Sequence, residues 1–276
     1  MWVGVKTPLH HVPWDAVRRA WQAADERTEI SSAWVFDHLV PVWGDPTGSC
    51  LEAWTALAAL ATETSRLPIG TMCSPMALRH PFLLAQMAST VQHISGGRLS
   101  LGLGSGSKAW ELAGLGLDAG PVRRAEQLME GLDIVERAFA TRERIGYAGS
   151  FYTCEMTTGS LATLAGWPAP PLVIGGRSDR ILRIAAARAA HWNFPAGIPL
   201  EFQEARERLA RYASELGRPT PDCSAHLIWT DFSVPPLTRQ LRAWKDTGAA
   251  GVIVALAAPW PQDAVYRLAD IVEHIG

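Results

Sequence analysis

Two short stretches of this chain set chemically competent groups side by side. Gly175-Gly176-Arg177-Ser178 joins two residues without side chains to a guanidinium and a hydroxyl, just ahead of a segment from Asp179 with helical apolar spacing. The first N–H groups of a helix are unpaired and lie at the positive end of its dipole, so this stretch has the makings of a phosphate cradle. Asp37-His38 places a carboxylate acceptor beside an imidazole, directly after the apolar run Ala33 to Phe36. Imidazole titrates near neutrality, and the pair suits proton transfer with His38 as donor or acceptor. The plainer readings are a glycine turn and a structural loop histidine.

A third stretch, Ser95 to Ser107, reads Ser-Gly-Gly-Arg-Leu-Ser-Leu-Gly-Leu-Gly-Ser-Gly-Ser. Gly96 and Gly97 suit the positive φ of a helix stop after Ile94, and Leu99 to Leu103 has the length of a buried strand. Gly102, Gly104 and Gly106 then leave backbone open at the strand's end, where a flat or phosphorylated ligand could come close. A dinucleotide fingerprint would need a third glycine where Ser107 stands and an acidic residue about 20 positions on, and lacks both. The competing reading is glycine for packing alone.

Around these stretches the chain alternates strand and helix. Val3–Val5 is followed by a helix from Pro13 to about Arg27; Ala33–Phe36 by one at 51–62; Leu67–Thr71 by Pro81–Ile94, with Leu84, Met87, Val91 and Ile94 as its apolar stripe. Leu99–Leu103 precedes Val122–Phe139, Leu172–Ile174 precedes 179–189, and Trp192–Phe194 precedes 200–216. Leu227–Trp229 with 237–247, and Val252–Leu256 with 264–275, complete the series. Tyr147 to Pro170 lacks a helical period and reads as an unassigned rim excursion with a hairpin as one option. Eight alternations predict an α/β fold, a (β/α)₈ TIM barrel spanning 1–276 as one domain, whose strand ends converge on one face.

The groups just after the strands are then Thr7, His10 and His11; Asp37 and His38; Met72, Cys73 and Ser74; Ser105, Gly106 and Ser107; Gly175 to Ser178; Asn193; Thr230 and Asp231; Ala257 and Pro259. No two of these groups make a metal triad, and adjacent His10-His11 is not the His-x-His that puts two imidazoles on one face, so a metal-dependent hydrolase is a minor alternative. Lys plus Arg number 25 against 27 Asp plus Glu, without basic clusters, which argues against nucleic acid as a partner. No charge-free apolar run reaches about 18 residues and no signal peptide is evident, so a cytosolic protein without membrane contact is expected. Cys50, Cys73, Cys154 and Cys223 are far apart and expected to be reduced.

Trp34 to Pro41, Leu51 to Ala61, Arg79-His80-Pro81 and Ser95 to Gly104, with Pro171 to Gly176 and Trp192-Asn193, resemble the bacterial luciferase-like flavin-dependent oxidoreductases. The resemblance covers most of the first 140 residues and the segment 170–193, and is nearest the branch that uses the deazaflavin coenzyme F420 in place of FMN. It implies a flavin-type ring at the C-terminal face with its phosphate at Gly175, Gly176, Arg177 and Ser178. It further implies a non-prolyl cis peptide at Met72-Cys73 backing the ring, Asp37 and His38 beside its reactive edge, and Ser105-Gly106 along the other side. Ser107 stands where some sugar-phosphate-oxidising deazaflavin members carry a catalytic glutamate, and Glu111 lies four residues on. Ala189-Ala190-His191 replaces the family's Ala-Asp-Gly, and the rim excursion is short.

The expected function is two-electron redox chemistry: hydride transfer between coenzyme F420 and a small organic substrate, with His38 catalytic and Asp37, Met72, Cys73, Ser105, Gly106, Ser107 and 175–178 holding the cofactor. An FMN-dependent monooxygenase on the same barrel and a non-catalytic flavin-binding barrel are the alternatives. A homodimer is left open. Trp43, Trp110 and Phe151 are candidates for an apolar mouth.

Overall fold

Successive side chains of a strand point to opposite faces, and in a closed barrel one face meets the helices while the other meets the axis. In β1 (Trp2–Thr7) Val3 and Val5 join the layer shared with the helices, whereas Trp2 packs on the interior cluster of Trp34, Met72, Val173 and Ile253. The same alternation runs through β2 (Ile30–Val35), β3 (Ile69–Thr71), β4 (Leu99–Gly104), β5 (Leu172–Gly175), β6 (His191–Phe194), β7 (Asp222–Trp229) and β8 (Gly251–Leu256). These are the strands of a computed structural model that describes residues 1–117, 120–141, 143–157, 166–195 and 197–275.

Every neighbouring pair is parallel, from β1–β2 through β7–β8, and β1 pairs with β8 from Trp2↔Gly251 to Lys6↔Ala255, closing the barrel. A two-residue strand, Ser74–Pro75, extends the third position alongside β4. The expected TIM barrel is the fold observed.

Helices α1 (Trp14–Glu26), α2 (Ala53–Glu63), α3 (Pro81–Ile94), α4 (Ala109–Gly114), α5 (Gly120–Ala140), α6 (Asp179–Arg188), α7 (Pro199–Glu215), α8 (Val234–Lys245) and α9 (Ala264–Ile275) occupy the connections. Their starts are chemically marked. The Glu52 carboxylate accepts from the Trp54 and Thr55 amides at 3.2 and 2.7 Å, and α3 opens on Pro81, whose missing N–H costs nothing in the first turn. Gly96 and Gly97, at φ +65° and +89°, stop α3. Arg98, next in line, donates to the Ala61, Thr64 and Leu67 carbonyls, tying the end of α2 to the start of β4.

Three expectations shift. Ile94, placed on the buried stripe of α3, is 39% exposed at the helix's last turn. Helix α4 was not anticipated, because six residues carry too little periodicity to register. The rim excursion does contain an antiparallel hairpin, Arg144–Ala148 with Thr153–Thr157, but it begins before Tyr147; residues 158–165 of that excursion lie outside the described residues. No helix among the described residues is long and apolar enough to cross a membrane.

Candidate functional site

A cavity of about 350 Å³ opens at the C-terminal ends of the strands. Its size suits a small-molecule site. Glycines thin its walls: Gly104 ends β4 and Gly106 lies just beyond it, and Gly175 ends β5 with Gly176 next. Gly106 and Gly176, at φ +85° and +142°, hold backbone conformations that side chains resist, and a Cβ on Gly176 would come within 2.7 Å of Ile181. Gly102 differs, since a Cβ there would overlap the Thr71 carbonyl; it allows β3 and β4 to approach and is not a ligand surface. Met72 and Cys73 line the cavity as well, Cys73 packing against Gly104 and Gly175, and the peptide between them is cis, as the resemblance implies.

His38 reaches the cavity from the end of β2 and is oriented by a residue from another β/α unit. Its Nδ1 lies 2.7 Å from Glu111 Oε2 on α4, while Glu111 Oε1 accepts from the Leu39 amide at 2.6 Å. Burial alone would raise the Glu111 carboxyl, but hydrogen bonds from His38 and from the Leu39 and Val40 amides outweigh it and hold the group below the usual carboxylate range. A carboxylate only accepts, so the proton between the two sits on Nδ1 and Nε2 is the nitrogen Glu111 leaves disengaged. Phe36 packs edge-on to the imidazole at 5.2 Å. Glu111, four residues past the position where a family glutamate stands, is thus the residue that addresses His38.

The other expected site residues divide. Met72, Cys73, Gly106, Ser107, Gly175, Gly176, Asn193 and Trp43 line the cavity together with His38; Ser105, Asp37, Arg177 and Ser178 are not among its lining residues. Asp37 is fully buried and turned to Arg79, with oxygens 2.5 and 3.1 Å from the guanidinium, and Arg79 also donates to Glu52 at 2.6 Å. Adjacent residues of extended chain point apart, which sends Asp37 into the helix layer and His38 to the cavity. Arg177 is exposed and pairs with Glu201 at 3.5 Å. Ser178 caps α6 through the Ile181 amide at 3.5 Å. Trp110 is 52% exposed, and Phe151 lies under Arg123 at 4.9 Å; neither is among the lining residues. His10 is buried, edge-on to His11 at 4.9 Å and to Trp43 at 4.6 Å.

Sequence reasoning missed two residues deep in the cavity. Lys6 is 8% exposed, its Nζ 3.4 Å from His226 Nε2 and 5.2 Å from the centre of the Phe36 ring. Burial draws the Lys6 ammonium down to about 8, with the Cys73 thiol opposing, and burial followed by the Lys6 charge drives His226 well below the ordinary histidine range. The signal was present: Val3 and Val5 set the outward phase of β1, and Ala225 and Leu227 that of β7, leaving Lys6 and His226 inward. Counting only residues beyond each strand passed over both.

This lysine has a cost that can be measured. Between about pH 8 and 10.5 the unfolded chain binds the proton that the folded chain has lost, so stability rises with pH across that window and the full penalty applies below it. The displacement corresponds to roughly 3 kcal/mol. Lys6→Met is therefore expected to stabilise the ligand-free protein by about 1–3 kcal/mol at pH 7 in urea denaturation, with the gain shrinking as pH rises from about 8 to 10.5. A variant less stable than wild type at pH 7 would contradict this account.

A larger hollow, about 450 Å³, lies between α5, α6 and α7 on the outer ring, far from the strand ends. Its charges answer one another: Arg188 pairs with Asp133 and Glu136, and Arg183 stacks on Tyr212 at 4.0 Å. The strand-end cavity, with glycine walls, an oriented imidazole and a buried ammonium, has the better claim to chemistry.

An uncharacterized protein of Mycobacterium tuberculosis is 30% identical over 217 residues, covering 76% of this chain and 69% of that protein. An F420-dependent glucose-6-phosphate dehydrogenase of Amycolatopsis mediterranei is 30% identical over 166 residues, 59% of this chain and 48% of that enzyme. Among solved structures, an F420-dependent secondary alcohol dehydrogenase in complex with an F420-acetone adduct superposes with a TM-score of 0.87 at 15% identity, over 100% of this chain and 99% of that one. The FMN complex of the oxygenating constituent of 3,6-diketocamphane monooxygenase from Pseudomonas putida gives 0.78 at 16% identity, over 100% and 96%. At such identities the structures speak for the fold alone. Residues 1–231 match the family described as luciferase-like monooxygenase, and the chain belongs to that family.

Proposed function

We propose that this protein is an oxidoreductase moving a hydride between a flavin-type cofactor, coenzyme F420 in preference to FMN, and a small organic substrate, on one barrel spanning the chain. The observation that carries the reading is the His38–Glu111 pair and the Met72-Cys73 wall on one glycine-lined cavity. The residues present fit such a group: Gly104, Gly106, Gly175 and Gly176 line the cavity without side chains, and Lys6 supplies a buried positive charge. A bound flavin-type ring supplies hydride transfer chemistry that no protein side chain provides.

The chain's own residues supply the rest. His38 gives or takes a proton at Nε2, and Glu111 fixes its tautomer and orientation through Nδ1. Phe36, Trp43 and Met72 make an apolar enclosure that excludes water from the exchange. The Gly176 amide is taken by the Asn193 carbonyl at 3.2 Å, so a phosphate at this turn would meet the positive end of the α6 dipole and not the glycine N–H groups, and Arg177, paired outward with Glu201, contributes little to it.

Absorbance titration with F420 and with FMN tests the reading: saturable perturbation by F420, and weaker or absent perturbation by FMN, is expected. Preferential FMN binding would favour the monooxygenase alternative. Binding of either cofactor without turnover on any substrate would favour a non-catalytic barrel. Gly176→Val, which places branched carbon against Ile181 in a backbone region hostile to it, should weaken binding of the phosphorylated cofactor by roughly 10-fold or more, and Arg177→Ala by much less.

A further inference from the structure

The cavity has two charged poles. One, near its rim, is the His38–Glu111 pair, in which a basic and an acidic group answer each other. The other, on β1 and β7, is not balanced. Among the described residues no carboxylate lies within ion-pairing distance of Lys6; the groups facing its ammonium are the His226 imidazole from β7, the Cys73 thiol from the end of β3 and the Phe36 ring from the end of β2. His226 can accept a hydrogen bond through Nε2, which satisfies one of the three ammonium protons and brings no negative charge. The Cys73 thiol, pushed up to about 12 by burial, stays protonated and brings none either.

A buried charge is kept only where something compensates it. Phe36 and Met72 border the same space, so the field of the ammonium is weakly screened there. Lys6 lies within β1 whereas His38 stands beyond the end of β2, so a guest spanning the cavity meets the ammonium at its inner end and the imidazole at its rim.

We propose that Lys6 is the counter-charge for the reduced cofactor ring, binding it in preference to the oxidised ring. The inference rests on the flavin-type reading of the cavity and gives Lys6 a preference between redox states that this reading does not need. Gaining a hydride gives the ring one further unit of negative charge, spread over its pyrimidine nitrogen and carbonyl oxygens. An ammonium donor meets that charge with a charge-assisted hydrogen bond, stronger than the one it offers the oxidised ring.

Anaerobic titrations of wild type, Lys6→Met and Lys6→Arg with oxidised and with reduced F420 and FMN decide the matter by affinity alone, without a substrate. In Lys6→Met, affinity for the reduced ring should fall roughly 10- to 100-fold while affinity for the oxidised ring changes less than about 3-fold. A tenfold change in that ratio corresponds to about 30 mV in a two-electron midpoint potential, so the bound potential should become more negative by about 30–60 mV. Lys6→Arg, which keeps the charge, should retain most of the preference. Equal losses for both redox states in Lys6→Met would overturn the proposal while leaving the cofactor assignment intact. Failure of wild type to bind either ring in either state would overturn the flavin-type reading and this inference with it.

Discussion

Replacing His38 by alanine is expected to lower turnover by roughly 10²- to 10⁴-fold, the range typical for a positioned acid or base, with little change in cofactor affinity. The size of the effect follows from what the imidazole does that its neighbours cannot. The Lys6 ammonium is buried against His226, the Cys73 thiol is held protonated, and Glu111 lies outside the cavity lining, where the Leu39 amide still holds its carboxylate. None of these can take over a proton at the rim. Glu111→Gln should move turnover in the same direction by a smaller factor, because an amide can still hold the ring yet no longer carries the charge that fixes its tautomer. Steady-state kinetics with saturating cofactor gives the answer, and unchanged turnover in His38→Ala would remove His38 from the mechanism.

The largest stability effect is expected one residue earlier. Asp37 is fully buried, the Arg79 side chain is 12% exposed, and Glu52 at 38% completes the cluster. Removing one partner of a buried ion pair strands the other charge away from water, which usually costs about 3–5 kcal/mol. Arg79→Leu should therefore destabilise the protein by about that amount, a large share of the 5–15 kcal/mol typical of a folded domain. Asp37→Leu combined with Arg79→Leu removes both buried charges and should recover much of the loss, Glu52 remaining free to be hydrated and to cap α2. Urea denaturation reads both. A loss below about 1 kcal/mol in Arg79→Leu would mean that water or other groups already compensate Asp37.

The contrast between Asp37 and His38 also shows where sequence reading ran out. Their position at a strand end was legible from the apolar run before them, but adjacency says nothing of direction, and the two side chains leave the backbone on opposite sides. Arg177 and Ser178 illustrate the same limit, since a residue beside a cradle can equally pair with Glu201 or cap its own helix. Helices α3 and α9 were placed to the residue because their starts, stops and apolar period agree. Helix α4 had none of these signals, and with it went the partnership of Glu111 with His38, which joins residues 73 positions apart. Lys6 and His226 were legible in principle from strand phase, at the price of reading strands for their inner face as well as for their ends.

Helix α4 deserves to be considered as a part. It spans six residues in the connection between β4 and α5 and contributes no strand to the barrel, yet it carries the carboxylate that sets the orientation of His38. Reactivity and architecture are therefore encoded in separable segments. A graft exchanging the connection from Ser105 to Leu117 would alter the acid–base partner while leaving every barrel hydrogen bond in place, so catalysts of different temper can be drafted on this scaffold without renegotiating its folding.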